Sequence, residues 1–290
     1  MKICVIGAGV AGLTLVKGLK EAHFKGEVFL VDKRKYTFAR KDIFSLLRKG
    51  DCEVVDLKRF SRKEEIDFIN KEVAKIVPSK KKIIFKDGIS EKFDIIVVAS
   101  GLSSKDLTSL KGKNYEGVFF LSQIDPLSLK DYLKMSKELT IIAFTFLGIK
   151  LCFCLSFLEN KEIRVFSPLP SFIRRRERVM EILEKKGIKI HFDNVIEIIG
   201  EKYVKAIKTE KGKFYSSQCI FIDSGFVPNN RFFDSSDRDS LSDIYFIGDV
   251  KNKDIEKQYL FFKNNLFCKR EAQEFAFYLK KRIDEGGSIR

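Results

Sequence analysis

The sequence predicts an α/β protein built from two doubly wound parallel-sheet units, the second inserted in the first. Three observations predict it. The chain opens on strand, glycine loop, helix and strand, with KICVIG, GAGVAG, LTLVKGLKEAHF and EVFLVD forming a βαβ unit. A second cycle begins near residue 110, where GVFFLS, SLKDYLKMSKE, LTIIAF, GIKLCFCLSFLEN and EIRVFS alternate strand with helix. Finally, CIFIDSG repeats the pattern of IIVVASG almost element for element, which marks an internal duplication. Parallel sheets joined by crossover helices are the natural architecture for such a pattern.

The remaining elements follow in chain order. Residues 38–69 read as helical or irregular. EVAKIV and KKIIF are short β-like runs on either side of a Lys-rich turn, and FDIIVVASG is a strand ending at Gly101. FIRRRERVMEILEKKG carries Val179, Ile182 and Leu183 at helical spacing. IKIHF, VIEIIG, YVKAIKT and KFYSS read as a β-meander, DIYFIGD as a buried strand, and residues 255–282 as a long helix. The first unit is expected to span 1–108 and 240–290, the second 109–239, with no low-complexity linker between them.

Composition narrows the function classes. At 290 residues the chain is long enough for two ordinary domains with real cores. Hydrophobic residues make up 44% and charged residues 33%, a globular balance. Neither a transmembrane run nor a signal-peptide pattern is found, so a cytoplasmic location is expected. The six cysteines form no CxxC or zinc-like pairing, which suits a reducing compartment. Cys152 and Cys154, two apart on a helix, point to different sides and read as core fillers. The net charge is +15, but the lysines are dispersed, so the basic balance reads as solvated surface. The cluster Arg174-Arg175-Arg176 reads the same way, and no nucleic-acid partner is expected. His23, in a helix, and His191, in a strand, read as structural.

Gly7-Ala8-Gly9-Val10-Ala11-Gly12 is a GxGxxG that follows a strand, opens a helix, and has Asp32 at the end of the next strand, 20 residues after Gly12. Gly7 permits the tight turn. Gly9 lets backbone approach a pyrophosphate, and Gly12 allows close helix–strand packing. The helix N-terminus then faces the phosphates, and Asp32 can accept hydrogen bonds from ribose hydroxyls. This makes the first unit a Rossmann-like dinucleotide site.

Together GAGVAG, Asp32, FDIIVVASG, CIFIDSGFVPN and IYFIGDV resemble the pyridine nucleotide-disulfide oxidoreductase superfamily, with a pattern similar to type II NADH dehydrogenases, ferredoxin or rubredoxin reductases and sulfide:quinone reductases. The resemblance runs to about residue 280. It implies two Rossmann-like FAD/NAD(P)-binding domains and non-covalent FAD. Gly7, Gly9 and Gly12 would meet its pyrophosphate, Asp32 the adenosine ribose, and Lys33 and the backbone of Val73 the adenine side. Arg40 would lie close to the phosphates or flavin. Gly101 closes the strand signature, Gly248 and Asp249 would hold the ribityl chain, and Val250 would begin the segment under the flavin pyrimidine. The C-terminal dimerisation or quinone-facing domain of such relatives is expected to be absent.

The second unit departs from the family pattern. Where a second GxGxxG belongs, the chain reads Ala143-Phe144-Thr145-Phe146-Leu147-Gly148. Only the packing glycine survives, Thr145 stands where backbone must touch pyrophosphate, and Phe144 and Phe146 are expected to crowd the loop. Lys150 replaces a glutamate that relatives often carry, and Phe166 and Ser167 stand where a strand-end acid belongs. The family's redox cysteines are missing too: their position falls on Lys41, with Cys52 beyond it. The resemblance therefore implies a flavoprotein oxidoreductase that transfers electrons through FAD without the usual NAD(P)H site, with an acidic electron-transfer protein as a partner suited to the positive charge. Two alternatives stay open: an NAD(P)H-dependent reductase with a divergent loop, and a non-catalytic flavoprotein subunit or scaffold. Catalytic residues, electron donor and oligomeric state are not legible.

Overall fold

The computed structural model describes residues 1–37, 54–122, 124–167, 176–233, 242–251 and 264–285. The chain divides into two compact units, one of residues 1–39, 54–102 and 228–290, the other of 40–53 and 103–227. The changeovers lie at 102/103 and 227/228, several residues before the positions read from the sequence.

In chain order the first unit begins with β1 (Lys2–Ile6), α1 (Val10–Glu21) and β2 (Glu27–Val31). Short strands β3 (Tyr36–Thr37) and β4 (Val55–Asp56) lead to α2 (Leu57–Glu64) and β5 (Asp67–Ile69). Then come β6 (Val73–Val77), β7 (Lys82–Phe85), β8 (Ser90–Lys92) and β9 (Ile95–Val98). Strand β10 (Leu102–Ser104) lies where the chain leaves this unit. The second unit carries β11 (Val118–Phe120), α3 (Pro126–Met135), β12 (Glu138–Ala143), α4 (Phe146–Leu155) and β13 (Glu162–Phe166). It continues with α5 (Arg176–Lys185), β14 (Lys189–His191), β15 (Val195–Gly200), β16 (Val204–Thr209), β17 (Phe214–Ser216) and β18 (Cys219–Asp223). After β19 (Phe226–Pro228) the chain returns to the first unit with β20 (Ile244–Phe246) and α6 (Asn264–Asp284).

The first unit is a parallel sheet in the order β20-β9-β1-β2-β5. Its two faces bury separate clusters, because both sides of β1 and β9 are covered and their sequences are accordingly apolar throughout. One cluster joins Leu15, Leu19, Leu30, Leu57, Ala272 and Ala276. Here α1 packs against α6 closely enough that a Cβ at Gly18 would sit 2.8 Å from that of Ala276. The other face is covered by the antiparallel sheet β6-β7-β8 through Ile76, Ile83 and Phe85. The second unit repeats the theme with a parallel sheet in the order β11-β18-β12-β13-β14 and an antiparallel sheet β15-β16-β17.

Three sequence expectations change. IKIHF does not belong to a meander: β14 pairs parallel with β13, and only β15, β16 and β17 form the antiparallel sheet. The stretch before residue 69 contributes the parallel edge strand β5, too short for alternation to announce it. His23 lies past the end of α1 in the left-handed region, at φ 55°. Cys152 and Cys154 are both buried, in keeping with their reading as core fillers, since α4 is covered nearly all round. The start of the predicted C-terminal helix, Arg174 and Arg175, and Arg40, Lys41 and Cys52 lie outside the described residues. Among the described residues, no helix is long and apolar enough to cross a membrane, and no cluster of His, Cys, Asp and Glu could hold a metal ion.

Candidate dinucleotide site

β20, β9, β1 and β2 run parallel in the first sheet, so their C-terminal ends share one edge. That edge carries Gly7–Gly9 after β1, Asp32 after β2, Ala99–Gly101 after β9 and Gly248–Val250 after β20. The crevice beyond the carboxyl ends of parallel strands is where open α/β sheets bind ligands.

The three loop glycines have three separable jobs. Gly7 has φ +106°, and a Cβ there would lie 2.6 Å from the Ala99 carbonyl oxygen. A Cβ at Gly12 would lie 1.9 Å from the Gly7 oxygen, so this glycine lets α1 start directly under the loop. At Gly9 a Cβ would meet nothing within 4 Å. Gly9 is the N-cap of α1, and no side chain caps that helix. Its N-terminus thus presents backbone to open space, the arrangement an anionic ligand needs.

Asp32 is nearly buried and accepts four hydrogen bonds. Oδ2 takes the Ala8 N–H and Arg34 Nη2, both at 2.8 Å, while Oδ1 takes the Arg34 N–H at 2.9 Å and Arg34 Nε at 3.0 Å. Burial alone would raise the carboxyl, but the Arg34 guanidinium and the two backbone donors hold it below its usual 3.8. The carboxylate therefore ties the end of β2 to the glycine loop. A ribose hydroxyl would reach it by sharing or displacing Arg34, a partner the sequence reading missed although it stands two residues away. Lys33 pairs instead with Glu72 at 3.4 Å, beside Val73 at the start of β6.

The turn after β20 packs against the same loop. Gly248 has φ +72°, and a Cβ there would sit 3.0 Å from the Ala11 Cβ in the first turn of α1. This sets half-buried Asp249 beside the open N-terminus, with Val250 buried in the core beneath. Glu271 of α6 holds the turn, accepting the Gly248 N–H at 2.8 Å and pairing with Lys251 at 2.7 Å. It too was missed, because nothing local to the turn points to a residue so far along the chain. The two strand-end signatures meet as well: Gly101, at φ +66°, accepts the Asn229 N–H at 2.9 Å.

The corresponding edge of the second unit is filled from within. Thr145 is the N-cap of α4, and its Oγ1 accepts the Leu147 N–H at 3.2 Å. Asp223, at the end of β18 and 1% exposed, accepts the Thr145 N–H at 3.0 Å, the Thr145 hydroxyl at 2.6 Å and the Gly148 N–H at 2.7 Å through one oxygen. Its other oxygen faces the Gly225 N–H at 3.4 Å. Burial pushes the Asp223 carboxyl above its ordinary range against the pull of these donors. Phe144 does not crowd the loop but packs half-buried against the unit's core, while the Phe146 side chain lies outside what is described. Phe166, in place of the strand-end acid, is fully buried and stacks on His191 at 4.7 Å. Lys150 lies half-buried on α4. The five described cysteines are buried and in no disulfide. Burial drives the Cys152 and Cys219 thiols far up and that of Cys268, beside Asp249, to about 12, so none of these three is a thiolate at neutral pH.

Comparison with known proteins agrees with this geometry. A family described as pyridine nucleotide-disulphide oxidoreductase matches residues 1–260. The NADH oxidase of Methanocaldococcus jannaschii is 24% identical over 250 residues, 79% of this chain and 55% of that one. The rubredoxin-NAD(+) reductase of Pseudomonas putida is 22% identical over 277 residues, 86% of this chain and 71% of that one. Among solved structures, a covalent putidaredoxin reductase–putidaredoxin complex superposes with TM-score 0.76 at 16% identity, covering 100% of this chain and 76% of that one. The chain spans about half the length of the first of these relatives.

Two outcomes are expected. Gly12→Ala should destabilise the fold by about 1–3 kcal/mol, as overpacking does, whereas Gly9→Ala should cost less than about 1 kcal/mol. Denaturant unfolding distinguishes them, and equal losses would contradict the assigned roles. Because folding lowers the pKa of Asp32 below its usual 3.8, its stabilising contribution is present above that pH and is lost as pH falls through the lower folded value. The stability gap between wild type and Asp32→Asn should therefore be wide at pH 6 and close in acid; a gap independent of pH would contradict the ion pair.

Proposed function

The chain belongs to the pyridine nucleotide-disulphide oxidoreductase family, and on that premise we propose that it is an FAD-dependent oxidoreductase whose second unit lacks the usual NAD(P)H site. The observation that carries the proposal is the open backbone at Gly9, set beside the Gly248–Asp249 turn on one sheet edge. The residues fit the cofactor. The N-terminus of α1 and the Gly9 backbone would take the pyrophosphate, Asp32 with Arg34 the adenosine ribose, Lys33 and Val73 the adenine side, and Asp249 the ribityl chain. Bound flavin supplies reversible one- and two-electron exchange. Asp249 positions it, and Glu271 fixes Asp249 through Gly248. The first unit would then be the FAD-binding domain, with the second, NAD(P)-binding-like domain inserted in it.

Electrons would enter from a protein or small molecule that reaches the flavin directly. A net charge of +15 suits an acidic electron-carrier protein, in line with the complex to which the fold is similar. Protonated, buried thiols suit a reducing cytoplasmic setting and leave no poised disulfide partner among the described cysteines. A second reading, an NAD(P)H-dependent reductase with a divergent loop, is favoured by the NAD(H) chemistry named for both relatives.

The purified protein should be yellow and release FAD on denaturation; a colourless protein that ignores added FAD sinks the proposal. Asp249→Ala should weaken FAD binding about ten- to a hundred-fold, the worth of a charge-assisted hydrogen bond. Anaerobic mixing with millimolar NADH or NADPH should leave the flavin oxidised while dithionite bleaches it. Rapid, saturable reduction at micromolar nucleotide would establish the second reading instead.

A further inference from the structure

The strand registers align the two units residue by residue. In the first unit Ile6 pairs with Val98, so Gly7 stands opposite Ala99 at the next step. In the second unit Ala143 pairs with Asp223. Gly7 and Ala143 both open the strand-to-helix loop, so Asp223 occupies the place that Ala99 fills in the first unit. Each of these residues abuts the packing glycine of its own loop: the Ala99 Cβ would be 3.5 Å from a Cβ at Gly12, and Asp223 Oδ2 would be 3.0 Å from one at Gly148. The two helices nevertheless end differently. No side chain caps α1, whereas the N–H groups of Thr145, Leu147 and Gly148 in α4 all have side-chain acceptors.

We infer that Asp223 is the specificity-determining residue of the second unit, a built-in carboxylate that occupies the phosphate-receiving donors of α4 and so excludes a dinucleotide pyrophosphate. The inference rests on the reading that this unit lacks the usual NAD(P)H site, and it supplies the cause. A pyrophosphate bound at a helix N-terminus needs first-turn N–H groups that are free to donate. Here they donate inward. Thr145 completes the closure, because its hydroxyl bridges Asp223 and the Leu147 N–H. Removing the carboxylate recreates the alanine of the first unit, and replacing Thr145 with glycine recreates Gly9.

The test uses the flavin-loaded full chain and measures binding of NADH, ADP and adenosine by calorimetry. Wild type should bind none of them saturably at low millimolar concentration. Asp223→Ala combined with Thr145→Gly should bind NADH and ADP at least about ten- to a hundred-fold more tightly, with no matching gain for adenosine, which has no phosphate. Asp223→Asn still offers an oxygen to the same donors and should stay near wild type. Circular dichroism melting and retained flavin report folding. If the alanine variant does not fold, Asp223→Ser with Thr145→Gly takes its place, keeping a hydroxyl on the buried face. Folded variants that gain nothing for ADP, or gain equally for adenosine, overturn the inference while the parent reading stands. Micromolar NADH binding by wild type overturns the parent reading itself.

Discussion

A buried parallel strand that hands over to a helix leaves the first backbone N–H groups of that helix without intrahelical partners, and these donors have to be satisfied at the sheet's carboxyl edge. Both units of this chain meet that requirement, and they meet it in opposite ways. At α1 the N-cap is Gly9, whose side-chain position is clear among the described residues, and no side chain caps the helix, so an external anion is a natural acceptor. At α4 the acceptors are Thr145 and Asp223, supplied by the protein. Much else at the first edge follows from keeping the donors open. Gly7 and Gly12 let the loop fold tightly under Ala99, Asp32 ties Ala8 to β2, and Gly248 brings its turn against Ala11.

Much of this was legible in the sequence, because a glycine pattern is a backbone statement. Gly7 and Gly12 announce a turn and a packing contact, and the structure shows both, while Gly9 leaves its side-chain position clear. The apolar runs of β1, β9, β12 and β18 likewise announce strands covered on both faces. The parts that were not legible depend on pairing. β14 reads as a meander strand in the sequence because three residues cannot say whether a neighbour runs parallel or antiparallel; that is decided by α5 carrying the chain back across the sheet. β5 was lost for the same reason.

Arg34 and Asp223 illustrate two kinds of hidden information. Arg34 could have been suspected from its spacing, since a guanidinium two residues from a strand-end carboxylate reaches it readily, but motif reading assigned Asp32 to a ligand and looked no further. Asp223 was on view in the internal repeat: IIVVASG has alanine where CIFIDSG has aspartate. At this one position a small residue becomes a charged one, and with it the acceptor of the Thr145 and Gly148 N–H groups appears. Glu271 belongs to neither kind, because only tertiary packing of α6 brings it to Gly248.

The internal carboxylate also has a thermodynamic advantage over any soluble competitor. Burying Asp223 costs desolvation, which is why its carboxyl is pushed upward, and the donors from Thr145, Gly148 and Gly225 offset part of that cost. The balance is settled once, as the unit folds. A pyrophosphate arriving from solution would have to displace those bonds, leave a carboxylate buried without partners, and lose its own translational and rotational freedom. Each of these terms opposes binding. A dinucleotide would also find fully buried Phe166 at the end of β13, where an acid would anchor its ribose. In the first unit no side chain caps α1 among the described residues, and Asp32 accepts the Ala8 N–H of the loop and pairs with Arg34. The same fold, used twice in one chain, thus pairs a helix end that no side chain caps with one capped from within, and alanine or aspartate at a single register position distinguishes them.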